Sequence, residues 1–192
     1  MVGNNPNYDK VDILRCFLHF NKEVSRKELV ASLNLGEGTI RTILDLLKSK
    51  RLLESTKKGH FLSREGEKEL SAILGTITVP KKSFSNEVYP ESCKIGTILQ
   101  KSKNVEETYK LRDIAVKNGA DGAVILMFDK KLFAPESKFI SSFTQLEKEF
   151  QLSKGDVLIM GFSSNEKNAE KGALAIAAEL NPLLKKFIEQ FE

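Results

Sequence analysis

The chain has 192 residues, of which 41% are hydrophobic and 29% are charged, with 30 Lys plus Arg against 26 Asp plus Glu. These proportions are ordinary for a globular protein and exclude a disordered chain, which combines low hydrophobicity with high net charge. No apolar run approaches the roughly 18 residues that a membrane-spanning helix needs. The polar start, Met1 to Pro6, also lacks the apolar core of a secretory signal. We therefore predict a cytoplasmic protein of one or two domains that makes no membrane contact.

Three helices are predicted in the N-terminal part of the chain. Apolar residues at helical spacing between Tyr8 and Phe20 predict the first. Ser25 and Glu28 form a capping box ahead of a second helix over about 26–33. After a turn through Gly38, a third helix runs to about Ser49. Its apolar face consists of Ile40, Ile43, Leu44 and Leu47. The opposite face consists of Gly38, Thr42, Asp45 and Ser49.

Two short strands and a fourth helix follow. Leu52 to Thr56 and His60 to Leu62 have strand patterns joined across Lys57-Lys58-Gly59. Ser63 is placed to cap a helix from Arg64 to Leu74. The 18 residues from Arg41 to Lys58 hold six basic and two acidic side chains, so they carry a net charge of +4, as does the whole chain. This cluster is either a solvated helix surface or a surface for an anionic partner such as nucleic acid.

Residues 8 to 74 resemble the winged helix-turn-helix domain of transcriptional regulators. The resemblance rests on the segment from Ser25 to Leu53, which includes Thr39-Ile40-Arg41-Thr42-Ile43-Leu44, and on the junction from Phe61 to Leu70 that follows the wing. The sequence departs from such domains in having Gly36 where a capping Ser is common, and the acidic Glu37 and Asp45 near the expected DNA face. The resemblance implies double-stranded DNA as the partner. A winged helix that binds another protein is the alternative.

The residue types on this surface suit DNA. A helix that lies in the major groove offers small, polar or basic side chains on its outer face. Arg41 can bind guanine through two hydrogen bonds, and a basic hairpin tip can reach phosphate or the minor groove. The predicted DNA-binding residues are Ser25, Arg26, Glu37, Gly38, Thr39, Arg41, Thr42, Asp45, Lys57, Lys58 and His60.

A second domain is predicted over residues 76–192, after a first domain over 1–75. Its predicted elements, in chain order, are strand 76–80, a loop, strand 94–100, helix 104–118 capped by Asn104, strand 122–128, strand 132–134, helix 144–150, strand 156–162, helix 165–180, and a last helix to Phe191. Strands and helices alternate without the regular rhythm of a doubly wound sheet. The predicted fold class is therefore α+β.

One segment of this domain carries a further resemblance. Arg112 to Ala123, a helix followed by a turn and a hydrophobic strand, resembles the corresponding part of the GAD-type domains inserted in some bacterial aspartyl-tRNA synthetases and amidotransferases. A winged helix followed by a GAD-like domain resembles an uncharacterised archaeal family of proposed transcriptional regulators. The likeness implies a regulator whose second domain dimerises or senses a ligand. An RNA- or tRNA-associated accessory protein is the alternative.

Two places in the second domain favour a small anionic effector. Arg112 lies in a predicted apolar stripe, and Ser163-Ser164-Asn165 precedes a helix N-terminus, where backbone amides attract phosphate or carboxylate. An ion-paired Arg112, and capping of the helix by Ser164 or Asn165, would explain the same residues without a ligand.

A homodimer is expected, because one winged helix offers only a small DNA interface. Small residues in the helix over 165–180 allow close packing, either within the chain or across a dimer seam. These residues, with the apolar group that follows, are Ala169, Gly172, Ala173, Ala177, Leu183, Leu184 and Phe187.

Metal and catalytic chemistry have little support in the sequence. Cys16 and Cys93 stand far apart in apolar patterns, which predicts buried thiols rather than a disulfide. With two histidines and no close Cys/His spacing, no metal site is expected. A nucleophile elbow, a phosphate-binding loop and a His-Glu-x-x-His motif are all missing. We therefore expect no catalytic residue, no cofactor and no enzyme activity.

Overall fold

A computed structural model describes residues 7–102, 105–137 and 142–191. The chain divides into two compact units: the first runs through Ile73 and also contains the C-terminal segment from Lys185, and the second runs from Leu74 to Leu184. This division differs from the predicted domains at the C-terminus, which the sequence assigned to the second domain. The physical reason is aromatic packing within the first unit, where the rings of Phe17 and Phe187 stack with their centroids 4.9 Å apart.

The first unit is built from helices and a two-stranded hairpin. Its elements are α1 (Lys10–Phe17), α2 (Arg26–Leu33), α3 (Glu37–Ser49), β1 (Leu53–Ser55), β2 (His60–Leu62) and α4 (Arg64–Leu74), of which α4 ends at the unit boundary. The predicted helices and both hairpin strands are present, although α1 is shorter than the predicted segment 8–20. The turn predicted through Gly38 ends earlier, because α3 begins at Glu37. The apolar face of α3 is buried, as its spacing predicts.

Side chains fix the starts of α2 and α4. The Ser25 hydroxyl accepts a hydrogen bond from the Glu28 amide at 3.2 Å, and the Glu28 carboxylate accepts one from the Ser25 amide at 2.8 Å. The Ser63 hydroxyl accepts from the Gly66 amide at 3.0 Å. The α3 helix differs, because its N-cap residue is Gly36 and provides no side-chain hydrogen bond.

A buried ion pair lies inside α1, where the sequence suggested only an apolar stripe. Arg15 and Asp12 are each 1% exposed, and an Arg15 Nη1 hydrogen donates to Asp12 Oδ1 at 2.9 Å. Arg15 Nη2 also donates to the Leu33 carbonyl at 3.3 Å, which connects α1 with the end of α2. Burial raises the pKa of the neighbouring Cys16 thiol to about 12, so this cysteine is a neutral core residue.

The second unit contains one antiparallel sheet with helices on both sides. Its elements are β3 (Lys81–Ser83), β4 (Cys93–Leu99), α5 (Thr108–Lys117), β5 (Gly122–Phe128), β6 (Leu132–Phe133), α6 (Thr144–Glu149), β7 (Val157–Ser163) and α7 (Glu166–Leu180); α8 (Pro182–Glu189) then crosses into the first unit. The strand order is β3-β4-β7-β5-β6. Helical and strand elements are thus mixed with antiparallel pairing, and the α+β prediction is confirmed.

The small-residue stripe of α7 packs inside the second unit. A β-carbon on Gly161 of β7 would lie 2.0 Å from the Ala169 carbonyl oxygen, and one on Gly172 would lie 2.6 Å from the Ala120 Cβ. Of the two uses that the sequence left open for this stripe, close packing within the chain is therefore the one observed. The opposite side of the sheet contributes to a separate apolar cluster of Ile98, Leu126, Leu132, Phe143, Leu146, Phe150, Leu158 and Met160.

Three local predictions in the second unit are wrong. The segment 76–80 forms no extended ladder: Ile77 makes a single bridge to Leu99, and the edge strand is β3. The helix predicted over 104–118 begins at Thr108, while its predicted cap, Asn104, lies outside the described residues. Cys93 is half-buried at the start of β4 and was expected to be buried, whereas Cys16 is buried as predicted.

Candidate nucleic-acid interface

The outer face of α3 is exposed and holds the predicted residue types. Glu37, Gly38, Arg41, Thr42 and Asp45 are all exposed on it. Thr39 is half-buried at the edge of this face. The apolar face of the same helix is fully buried, so α3 is held by its core side and presents short or charged side chains on the other. This exposed group is hereafter the α3 face.

Local hydrogen bonds leave parts of the α3 face occupied and parts open. The Thr42 hydroxyl donates to the Gly38 carbonyl at 3.1 Å, one helical turn earlier. Arg26, half-buried at the start of α2, pairs with Glu37 at 3.5 Å, so the acidic residue nearest the start of α3 is partly neutralised. Ser25 is half-buried and occupied by its capping box.

The hairpin tip carries two exposed lysines, Lys57 and Lys58, beside the buried Gly59. Thr56 organises the turn: its hydroxyl donates to the Glu23 carboxylate and accepts from the amides of Lys58 and Gly59, at 3.0 and 3.3 Å. A β-carbon on Gly59 would lie 2.7 Å from the Val24 carbonyl oxygen, so the tip is pressed against the segment before α2. The two lysines therefore project from an ordered turn.

His60 was predicted to lie at this tip, and that position is wrong. His60 is 8% exposed. The Val24 amide donates to the His60 carbonyl at 2.8 Å, and the His60 amide donates to the Val24 carbonyl at 2.9 Å. The bridge to Val24 pulls the first residue of β2 inward, which no local pattern in the hairpin indicates. His60 is therefore not placed for direct contact with a duplex.

The His60 imidazole lies in a positively charged setting. Burial lowers its pKa, and the charges of Lys48 and Arg26 lower it further, against a smaller opposing effect of Asp45. Within the described part of the chain, His60 Nδ1 and Arg26 Nε are buried without hydrogen-bond partners. Lys48 belongs to the basic window but was not among the predicted site residues; it is half-buried on α3, and its effect on His60 depends on tertiary structure.

In the predicted anion-binding turn of the second unit, one side chain is inaccessible and the other two residues have protein partners. Ser163 is 1% exposed, and its hydroxyl has no partner among the described residues. The Ser164 amide donates to the Asp121 carboxylate at 2.9 Å, and the Asn165 side chain caps α7 by accepting from the Asn168 amide at 2.9 Å. The capping alternative for this turn is therefore observed at Asn165.

Arg112 is exposed on α5, next to a carboxylate that already has another role. The Thr108 amide donates to both carboxylate oxygens of Glu136, each at 3.2 Å. The Thr108 hydroxyl donates to the same carboxylate. These hydrogen bonds lower the pKa of Glu136, and Arg112 contributes a smaller lowering. An anion at Arg112 would compete with this carboxylate.

The described residues contain neither a membrane-spanning helix nor a cluster of metal ligands. Residues 7–102, 105–137 and 142–191 contain no helix long and apolar enough to cross a bilayer. Over the same ranges, no group of three or more His, Cys, Asp or Glu side chains is arranged to hold a metal ion.

Comparison with known proteins places both parts of the chain. Residues 11–68 match the PH0730-like N-terminal domain, and residues 91–180 match a domain of unknown function, DUF4443. No curated protein matches the chain. Hypothetical protein PH0730 from Pyrococcus horikoshii OT3 has a matching structure, with a TM-score of 0.78 and 25% identity over 94% of this chain and 100% of that one. The chain is similar to PH0730 along nearly its whole length.

The similarity to PH0730 supports the fold and gives no information about function. PH0730 is itself described as hypothetical, so its likeness carries no partner or activity to this chain. These matches confirm the predicted resemblance to an uncharacterised archaeal family. The α+β architecture is shared with PH0730.

Proposed function

We propose that this protein is a cytoplasmic DNA-binding transcriptional regulator that places α3 in the major groove of double-stranded DNA. The observation that carries the proposal is the α3 face, where small, polar and basic side chains are exposed. The hairpin tip of the same unit adds two exposed lysines. A helix of this kind together with a basic hairpin fits the winged helix-turn-helix resemblance of the sequence, and the groove admits one α-helix.

The two parts of this surface have different roles in the proposal. Arg41 and Thr42 contact base edges, because they are exposed on the helix that enters the groove. Lys57 and Lys58 contact phosphates, because they are exposed basic side chains on an ordered turn separate from α3. Glu37 and Asp45 restrict the choice of base, since a carboxylate on this face is favourable opposite the cytosine amino group and repelled by phosphate.

Selection of bound duplexes from a random library, at one stated salt concentration, tests the proposal. We expect a consensus sequence that contains guanine. The Arg41→Ala variant should lose about 1–3 kcal/mol of discrimination between the consensus and a scrambled duplex. The double variant Lys57→Ala/Lys58→Ala should weaken binding to both duplexes equally and reduce the slope of log affinity against log salt by about 1.8, or 0.9 for each phosphate contact.

Lys68→Ala is the matched control, because Lys68 is exposed on α4 and outside the proposed surface. It should leave discrimination unchanged. Preference for structured RNA over every duplex would favour the RNA-associated alternative. Failure to bind any nucleic acid would favour a protein-interaction role for the same surface.

The second unit serves assembly and sensing in this proposal, without catalysis. Two half-sites presented by a homodimer would supply the interface that a single α3 lacks. The seam lies outside the α7 stripe, because those small residues are buried in one chain. A small anionic effector would bind at Arg112 or at the Ser163-Ser164-Asn165 turn by displacing the carboxylate of Glu136 or Asp121.

A further inference from the structure

Lys94, on β4 of the second unit, is a buried lysine that forms no salt bridge with any described residue. It is 4% exposed, and its ammonium donates to the Tyr89 carbonyl at 3.1 Å and to the Pro90 carbonyl at 3.4 Å. An ammonium has three hydrogens, so the third has no partner among the described residues. Because a buried charge is costly unless an opposite charge pairs with it, this ammonium favours an anion.

An aromatic ring, that of Phe162, lies next to Lys94. The two residues are opposite each other in the pairing of β4 with β7, so their side chains share one face of the sheet. This face is the one opposite α7, because the preceding residue, Gly161, is the one that faces Ala169. Phe162 is 8% exposed, and a β-carbon on Gly122 would lie 2.5 Å from its Cζ, so the ring lies close over β5. An aromatic surface therefore borders the buried ammonium.

Tyr89 covers the Phe162 ring, in a position that is unfavourable in two ways. The centroids of the two rings lie 3.6 Å apart and their planes differ by 19°, whereas aromatic side chains prefer offset or edge-on pairs at about 4.5–7 Å. The Tyr89 backbone has a φ of 40°, in the left-handed region that non-glycine residues rarely adopt. Strain of this kind is typical of ligand clamps and switch segments. Tyr89 is also 52% exposed, so its ring can turn into solvent without opening the core.

We propose that Phe162 and Lys94 form a binding site for a small aromatic carboxylate. The ligand ring replaces the Tyr89 ring on Phe162, and the carboxylate accepts the third hydrogen of the Lys94 ammonium. One aromatic ring is the size that fits, because the Tyr89 ring is what leaves the space. The carboxylate adds a charge-assisted hydrogen bond that Tyr89 does not make. This site is separate from Arg112 and from the turn before α7, and binding here does not depend on recognition of DNA.

Titration of the full chain with benzoate, followed through amide chemical shifts, tests the site. We expect benzoate to shift the amides of Lys94 and Phe162, whereas benzyl alcohol, which lacks the charge, and acetate, which lacks the ring, should shift neither. Lys94→Met should weaken benzoate binding by about tenfold or more, the usual effect of losing a hydrogen bond to a charged group. Tyr89→Ala should strengthen it by about two- to tenfold, because no stacked ring has to be displaced. Tyr109→Ala is the matched control, since Tyr109 is 55% exposed on α5 and its loss should leave the affinity unchanged.

The Tyr89→Ala variant keeps the test decisive even where Lys94→Met fails to fold, because a gain in affinity cannot arise from misfolding. An affinity for benzoate that is unchanged or lower in Tyr89→Ala would refute displacement of the tyrosine ring. Equal shifts with acetate or with benzyl alcohol, or none with benzoate, would refute the site itself. None of these results bears on the DNA-binding proposal, because duplex selection by the wild type is measured without benzoate.

Discussion

His60 places a titratable ring in the interior of the first unit, close to two cations. The neutral form is favoured there, because burial, Lys48 and Arg26 all lower its pKa from the ordinary value of about 6.5. The unfolded chain binds a proton at His60 more readily than the folded chain. The contribution of His60 to the free energy of unfolding is therefore fully present above about pH 6.5. It is lost as the pH falls through the lower pKa of the folded state.

Replacement of His60 by Gln should reduce the acid sensitivity of the protein. The urea midpoint of the wild type should fall between pH 7.5 and pH 5, and His60→Gln should show a smaller fall, since Gln has a similar volume and does not titrate. The comparison is made within each variant, so a lower baseline stability does not affect it. His19→Gln is the control, because it makes the same replacement at the other histidine of the chain. The His19 ring is half-buried, and its Nδ1 is hydrogen-bonded to the Arg15 carbonyl oxygen at 2.9 Å. An equal fall in the wild type and in His60→Gln would show that other groups account for the pH dependence.

The Asp12–Arg15 pair illustrates why single residues are hard to place from a pattern. The two residues are three apart in α1, a spacing that is equally common on solvated helix surfaces. Their burial depends on the Leu33 carbonyl, which α2 brings to Arg15 from a distant part of the sequence. The exposure of charged side chains in an apolar stripe therefore depends on the neighbouring helix and cannot be predicted from the stripe alone.

At the scale of elements, glycine and alanine set how closely α7 lies to the sheet. The β-carbon that Gly161 lacks would overlap the backbone of Ala169. The one that Gly172 lacks would overlap the Ala120 Cβ, which follows α5, and would press on the Ala115 Cβ within α5. Overpacking of this kind typically costs about 1–3 kcal/mol. Here the obstacle at Gly161 is backbone, which cannot turn aside as a side chain does.

Gly161→Ala should therefore destabilise the second unit by at least as much as Gly172→Ala, whose obstacles are mainly alanine β-carbons. Chemical unfolding monitored by hydrogen exchange of β4, β5 and β7 amides measures both effects. Gly38→Ala serves as the opposite control, because its new methyl group meets open space. Wild-type protection of the sheet in Gly161→Ala would contradict the close approach of α7 and β7.

Elements with strong local signals were predicted correctly, and elements that depend on distant partners were not. The capping box of α2 and the period of α3 are properties of neighbouring residues, so the sequence was sufficient for both. The edge strand β3 consists of Lys81, Lys82 and Ser83, which have no apolar alternation and become a strand only through pairing with β4. In the candidate site, the exposure of the α3 face follows from its periodicity, whereas the burial of His60 follows from a bridge to Val24, outside the hairpin.

At the scale of the whole molecule, the chain end returns to the first unit after completing the second. Helix α8 starts at Pro182, and its later residues belong with α1. Phe187 is 1% exposed; its ring stacks on Phe17 and meets the Phe191 ring edge-on at 5.4 Å. The unit that carries the candidate DNA surface is therefore completed by residues from the far end of the sequence.

Phe187→Ala should destabilise the first unit selectively. Truncation of a buried Phe costs about 3–5 kcal/mol, and the cavity would open against Phe17 in α1. Amides of α1 should lose hydrogen-exchange protection, while amides of β4 and β7 keep theirs, because the sheet belongs to the other unit. Lys186→Ala, at an exposed position of the same helix, should change neither set. Loss of protection in the sheet with α1 unchanged would contradict the assignment of the end of α8 to the first unit.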